Sequence, residues 1–422
     1  MIESSAASAY VQMHAISAGT LDPAAPLDDL EPLREIVQSA RVVAIGENTH
    51  HVREFLLLRH RLTRFLAERC GFTHFAMEAP FCEGLTLADW VDGAPGDLNA
   101  IAASALSFRM GECAEMRDHL CWMRSFNERS SLRYAGIDPP QTLGSLSPAL
   151  RFVHEYVAKI ETDAASLVSS LIAVADSYAG ANLSEVVPGY SALALAERQD
   201  LTARLSVLLS RFRYLRPLLV SRSTADDYEV ALRVLESAVC LDHYLREMSA
   251  VWGGKPMFAE GSGRDAFMAE TVMWLLDRGG PETRIVLAAH NAHIQRIPWI
   301  DDGHYMQGYY LAQNLGDQFV SLAATGGAGT TVRLDRDPIT FEAIAEPAAL
   351  EPPAEGSVEA LFAGSQSPLT LLDLRPARTE GLSLGKLRMA EFYLDLPLAD
   401  AFDGVLYLPS VSPTSIVAND WR

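Results

Sequence analysis

Four apolar segments, far apart in the chain, each run straight into ionisable residues. Residues 42–46 lead into Glu47 and His50, 75–77 into Glu78, 134–137 into Asp138, and 285–289 into His290 and His293. Near-continuous apolar runs that alternate with helical patterns predict strands buried on both faces, hence a mostly parallel sheet. The carboxyl ends of such strands share one edge, and ligands bind in the crevice there. The expected fold class is therefore α/β, a mostly parallel central sheet flanked by helices. Its edge would gather two glutamates, an aspartate and up to three histidines.

The chain's punctuation supports this reading. After a Pro/Asp stretch (22–32) comes the strand Arg41-Val-Val-Ala-Ile-Gly46, then a helical apolar pattern that stops near Cys70-Gly71. His74-Phe-Ala-Met77 is a second strand, 113–128 a helix and 132–137 a third strand. From 147 to about 248 long helical patterns dominate (151–160, 164–178, 193–213, 226–248) with few glycines or β-branched runs. They are either a helical lobe inserted over the cleft or the helices that cover the sheet. We expect an α/β catalytic domain from 1–146 and 251–422, with 147–250 as the lobe forming part of the substrate cavity. The α/β texture then returns with a helix over 264–276 and strands at 284–289, 318–323, 331–334 and 404–408. Gly326-Gly-Ala-Gly329 has no dinucleotide-binding spacing and reads as a turn. Residues 346–357, rich in Pro, Ala and Glu, read as an exposed connection.

Composition narrows the function classes. A net charge of −20 with no Lys/Arg cluster argues against nucleic-acid partners. Five scattered cysteines without a CxxC pair suit reduced thiols better than disulfides or a thiolate zinc site. The first ten residues carry no signal-peptide pattern, and no apolar stretch is long enough to cross a bilayer. The expectation is a cytoplasmic protein without membrane partners.

In Gly46-Glu-Asn-Thr-His-His51, glycine lets the chain turn off its strand and Thr49 is placed to cap the next helix. His50 at the helix start would have its pKa lowered by the dipole and serve as a base, with Glu47 orienting the ring. Glu78 needs a partner, because a buried unpaired carboxylate is costly. His50, Arg59 or a bound substrate qualifies. His290 and His293, three apart, fall on one side of a helical turn. They would bind a substrate oxygen and stabilise an oxyanion, or ligate a metal. Asp138 either joins the site or holds its loop, and Arg264-Asp265 at a helix head is placed to pair with the acidic cluster. His51, His60 and His74 read as surface or packing residues.

In these residues the chain resembles the erythromycin esterase family. The matching segments are Ala44-Ile-Gly-Glu-Asn-Thr-His50 with Glu54-Phe55 and Arg59, and Phe75-Ala-Met-Glu78. Trp122-Met-Arg-Ser-Phe-Asn127 with Tyr134-Ala-Gly-Ile-Asp138, and Arg264-Asp265 with Met268, follow in order. Ala288-Ala-His-Asn-Ala-His293 and the weak element Phe402-Asp403-Gly404 complete the set, which spans about residues 30–410. The resemblance implies hydrolysis of an ester, in the type enzymes a macrolide lactone, by activated water and without a cofactor. It implies His50 as general base supported by Glu47 and Glu78, with His290 and His293 lining the same cleft and Arg59 supporting it; with these three, Asp138 completes the expected substrate-binding set. Residues 80–84 and the lobe would line the cavity. No Gly-x-Ser-x-Gly elbow is present, which argues against a serine hydrolase. Three rivals stand beside this reading. One is a metallohydrolase with Glu47, Glu78, His290 and His293 as ligands. The others are a biosynthetic enzyme performing a cyclisation, lyase or acyl-transfer step, and a non-catalytic small-molecule binder.

Overall fold

The structure, a computed structural model, describes residues 2–140, 144–180, 182–255, 262–299, 303–336, 343–382 and 384–419. In chain order the strands are β1 (Ala15–Ala18), β2 (Val42–Ile45), β3 (His74–Pro80), β4 (Arg133–Asp138) and β5 (Ile285–Ala288). They continue with β6 (Phe319–Arg336), β7 (Ala343–Ala349), β8 (Leu369–Asp373), β9 (Lys386–Met389), β10 (Phe392–Asp395) and β11 (Gly404–Val411). The main sheet has the order β1-β8-β11-β6-β2-β5-β3-β4, with β7 paired to β6. From β11 to β4 every neighbouring pair is parallel, while β8, β1 and β7 join antiparallel. β9 and β10 form a separate hairpin.

Alternation along the strands divides the core. Val43, Ile45, Phe75, Met77 and Tyr134 meet the helices Arg53–Cys70, Phe81–Val91 and Ala114–Asn127. Val42, Ala44, Ala76 and Ile137 face the helices Gly263–Gly279 and Gln307–Leu315 on the other side. Burying both faces is what makes these strands read as continuous apolar runs. The Arg53–Cys70 helix stops where expected, at Gly71 in the left-handed region (φ 75°).

Helices fill the middle of the chain, among them Ser147–Ala158, Leu195–Tyr214 and Ala225–Trp252. They enclose an apolar core of their own, built on Val153, Leu171, Tyr190, Leu205, Phe212 and Leu241. Phe81 and Cys82, at the end of β3, insert into that core and tie it to the sheet. A cavity of about 150 Å³ beside Phe81, Gly84 and Trp274 also touches His74 and Arg133, at the starting ends of β3 and β4. No helix among the described residues is long and apolar enough to cross a membrane.

Three expectations change. Gly326–Gly329 is not a turn: it lies inside the single long strand β6, which joins the two short strands expected there. A Cβ at Gly327 would lie 2.1 Å from the Tyr407 hydroxyl, and one at Gly326 2.8 Å from Val411. The glycines thus permit close approach of β11 rather than a reversal. The start of 346–357 belongs to β7, paired with β6. Thr49 does not cap the next helix. Its hydroxyl donates to the Val332 carbonyl, and the helix begins at Arg53 after an uncapped, extended Val52.

Candidate active site

The carboxyl ends of β2, β3, β4 and β5 bring Glu47, His50, Glu78, Asp138, His290 and His293 to one edge. A clamp shapes the β2 loop. Gly46 passes so close to Asn291 that a Cβ would lie 2.0 Å from its Oδ1. Asn291 itself donates to the Ala324 carbonyl and accepts from the Ala324 N–H, 2.8 and 3.0 Å. On the far side of the loop Thr414 N–H donates to the His51 carbonyl, and Glu54 accepts from Ser412 N–H and hydroxyl at 2.6 and 2.7 Å. Glu54 is a structural anchor.

Within this loop His50 Nδ1 lies 2.8 Å from Glu47 Oε1, and Arg59 Nη2 lies 2.9 Å from Glu47 Oε2. All three residues are buried. Arg59 thus pairs with Glu47, not with Glu78. Burial pushes the Glu47 carboxyl up, but Arg59, His50 and His290 pull it down to about 2. Burial lowers His50, yet the bond and charge of Glu47, helped by Glu78, raise it above its ordinary value. The expected dipole lowering fails because the helix starts three residues later, whereas a carboxylate touches the ring. With Nδ1–H donated to Glu47, His50 Nε2 keeps its lone pair and has no hydrogen-bond partner among the described residues.

Glu78 is held by three donors. Arg264 Nη2 lies 3.0 Å from Oε1, His293 Nε2 3.3 Å from the same oxygen, and His290 N–H donates to Oε2 at 2.9 Å. Burial pushes Glu78 up, but His293 and Arg264 more than offset it and hold it well below the usual range. Arg264 also grips both oxygens of Asp138, at 2.8 and 2.5 Å. Asp138 is fully buried with its carboxylate spent on this pair, so it braces the site rather than facing a substrate.

The two expected histidine ligands differ sharply. His293 Nδ1 lies 2.7 Å from Asp265 Oδ1 while Nε2 faces Glu78; burial lowers it, but these carboxylates raise it to about 10. It is a cation at neutral pH. Its Nε2–H then points at Glu78, and the Arg264 Nη1 atom 3.2 Å away is a neighbour rather than a donor to it. His290 is lowered to about 4 by burial and by the charge of His50. Its Nδ1 accepts from Ala292 N–H at 3.2 Å, so Nε2–H donates to the Asn48 carbonyl at 3.0 Å. Both ring nitrogens are committed to backbone. Among the described residues no three His, Cys, Asp or Glu side chains are placed to hold a metal ion together, so the set Glu47, Glu78, His290 and His293 does not assemble as ligands.

Four carboxylates (Glu47, Glu78, Asp138, Asp265) thus face three fixed cations (Arg59, Arg264, His293). A proton taken up by His50 adds the fourth positive charge and balances the cluster. Sequence reasoning singled out Arg264-Asp265 but not their reach: the first turn of the Gly263–Gly279 helix joins β3, β4 and His293. It missed Asn48, Asn291 and Phe108. Phe108 stacks on His50 with ring centroids 4.9 Å apart. Nothing in one sequence connects a phenylalanine in a loop to a histidine 58 residues earlier. The central helices reach the site through the Ala225–Trp252 helix, where Cys240 Sγ donates to the Gly263 carbonyl at 3.4 Å and Tyr244 feels the charges of Arg264 and Asp265.

The erythromycin esterase family model matches residues 67–411. The erythromycin esterase type II of Escherichia coli is 30% identical over 397 residues, covering 92% of this chain and 94% of that one. The type I enzyme of Escherichia coli is 25% identical over 408 residues, covering 93% and 96%. A structure of a mutant of the erythromycin esterase EreC in its open conformation has the same fold, with TM-score 0.83, 22% identity and coverage of 96% and 99%. Coverage of 92% carries the type II match across the β2 loop, which the family model does not reach. The chain belongs to the erythromycin esterase family.

Proposed function

We propose that this protein is a carboxylic-ester hydrolase that cleaves an ester or lactone with water activated at His50. Family membership supports a hydrolase of the erythromycin-esterase type. The observation that carries the mechanism is the state of one ring: Glu47 fixes His50 through Nδ1, and Nε2 is left to take a proton. Water attacks the carbonyl carbon as Nε2 removes one of its protons, and the C=O π pair moves to oxygen. The tetrahedral alkoxide then collapses and the C–OR bond breaks. His50 returns the proton to the leaving oxygen, releasing an acid and an alcohol. Arg59 and Glu47 hold the base. The His293 cation, fixed by Asp265 and Glu78, supplies positive potential for the alkoxide. Glu78 and Asp138 act through Arg264 and His293, and His290 shapes the wall by locking the Asn48 carbonyl.

Two relatives are named for erythromycin, a macrolide lactone. We take a lactone or ester with a substantial apolar part as the substrate class. We take residues 147–250 as a lobe whose Ala225–Trp252 helix packs beside the Arg264 turn, on a frame of 1–146 and 251–422. Replacing His50 by Ala or Asn removes the base and lowers kcat by about 10²–10⁴-fold with the fold intact. Turnover of a chromogenic ester, alongside circular dichroism, checks this, and near-normal turnover rejects the role.

A further inference from the structure

We propose that Phe108 is a positioning and specificity residue of this site: its ring supports His50 as it becomes a cation, and its exposed part receives the apolar portion of the substrate beside the scissile carbonyl. The inference rests on the hydrolase reading above and deepens it.

The backbone is the first observation. Only four non-glycine residues among those described have positive φ: His51 (64°), Phe108 (53°), Arg109 (57°) and Ala390 (49°). All four belong to this site. His51 follows the base, and Ala390 N–H donates to the Asn48 carbonyl at 3.0 Å. Phe108 and Arg109 form a left-handed turn whose carbonyl at Phe108 accepts from His51 Nε2–H at 2.6 Å. His51 is kept neutral, lowered to about 4 by burial, so its Nδ1 accepts from the Cys113 thiol 3.4 Å away. Two unfavourable residues in succession, anchored by a buried imidazole, persist where the surrounding structure over-determines them. What the turn achieves is the placement of one ring.

That placement is the second observation. The Phe108 ring stacks on His50 with planes 24° apart, while the His290 ring meets His50 edgewise at 5.6 Å. Yet Phe108 remains 36% exposed, in a turn whose neighbours Ser107 and Met110 are buried. Aromatic faces attract cations, and hydrophobic and aromatic side chains predominate in the lining of small-molecule sites. The charged or titratable groups facing His50 are Glu47, Arg59, Glu78 and His290, with His51 beside it in the chain. None of these offers an apolar surface; Phe108 does.

The test compares wild type with F108L, F108A and H50A on p-nitrophenyl acetate, butyrate and octanoate, with circular dichroism and melting as controls for folding. F108L keeps apolar bulk but loses the π face. It should retain the preference for the longer acyl chain while the acid limb of its kcat profile moves down by roughly half to one pH unit. F108A should show the same move and also lose octanoate kcat/KM by about ten-fold or more, with acetate falling less. If both variants keep the wild-type limb and lose all three esters in parallel, Phe108 is merely structural and the inference falls while the hydrolase reading stands. If wild type hydrolyses no ester, or H50A matches it, both fall.

Discussion

His50 takes its character from a single contact. Glu47, 2.8 Å from Nδ1, orients the ring and raises its pKa, so the ring is neutral and basic only above a pKa higher than 6.5. The expected kcat/KM therefore climbs with pH through that region. Replacing Glu47 by Gln removes the anion, so the limb should move to lower pH, and loss of orientation should cost about ten-fold or more in kcat. A pH–rate profile of the variant checks both, and an unmoved limb would detach Glu47 from the base. The residue types at the strand ends were legible in the sequence because buried strands that stop at carboxylates and imidazoles are conspicuous. Their pairing was not. Arg59 goes to Glu47, Glu78 goes to Arg264 and His293, and Asp138 spends both oxygens on Arg264. Each choice depends on which ends lie side by side, which the pattern leaves open.

Elements meet at Arg264. One guanidinium in the first turn of the Gly263–Gly279 helix bonds carboxylates at the ends of β3 and β4. Burial opposes its charge, but Asp138 and Glu78 hold its pKa well above the usual value. Replacing Arg264 by Met leaves two buried carboxylates without their common partner. It should cost about 3–5 kcal/mol, read as a lower urea midpoint at pH 7.5. An unchanged midpoint would show that the ends of β3 and β4 do not depend on it. Gly46 is the second junction, between the β2 loop and Asn291. In Gly46→Ala the new methyl would overlap the carboxamide at 2.0 Å, so Asn291 must release Ala324. A stability loss of about 1–3 kcal/mol with reduced turnover is expected from melting and activity assays. At this scale the strands of the parallel core and most helices could be read from periodicity. The glycines of β6 could not, because a Gly-rich stretch looks alike whether it turns or admits the Tyr407 side chain. The strands β1 and β8, at the antiparallel end of the sheet, were also missed, being only four and five residues long.

Across the whole molecule the histidines set the response to acid. His51, His60, His74 and His290 are each lowered to about 4, chiefly by burial, and His119 falls well below its ordinary value for the same reason. His60 and His119 stack 4.6 Å apart between helices, so charging both sets cation against cation. An unfolded chain protonates these rings near pH 6.5 and the folded one does not, so stability falls as pH drops from about 6.5 to 4. Each withheld proton contributes about 1.4 kcal/mol per pH unit. Glu47 and Glu78, lowered in the folded state, add loss below about pH 4.5, whereas His50 and His293 contribute stability fully present below pH 6.5. The melting temperature should therefore decline steeply between pH 6.5 and 4. A flat profile there would mean that the buried rings protonate freely. The sequence by itself determined the α/β class, the parallel core and the edge that collects Glu47, His50, Glu78, His290 and His293. Periodicity and strand ends are local properties, written in consecutive residues. Only the tertiary structure decided which histidine carries a charge, which keeps a free nitrogen and which is locked to backbone. Those states depend on burial and on partners such as Asp265, Asn48 and Phe108, which lie beside the histidines only after the chain has folded.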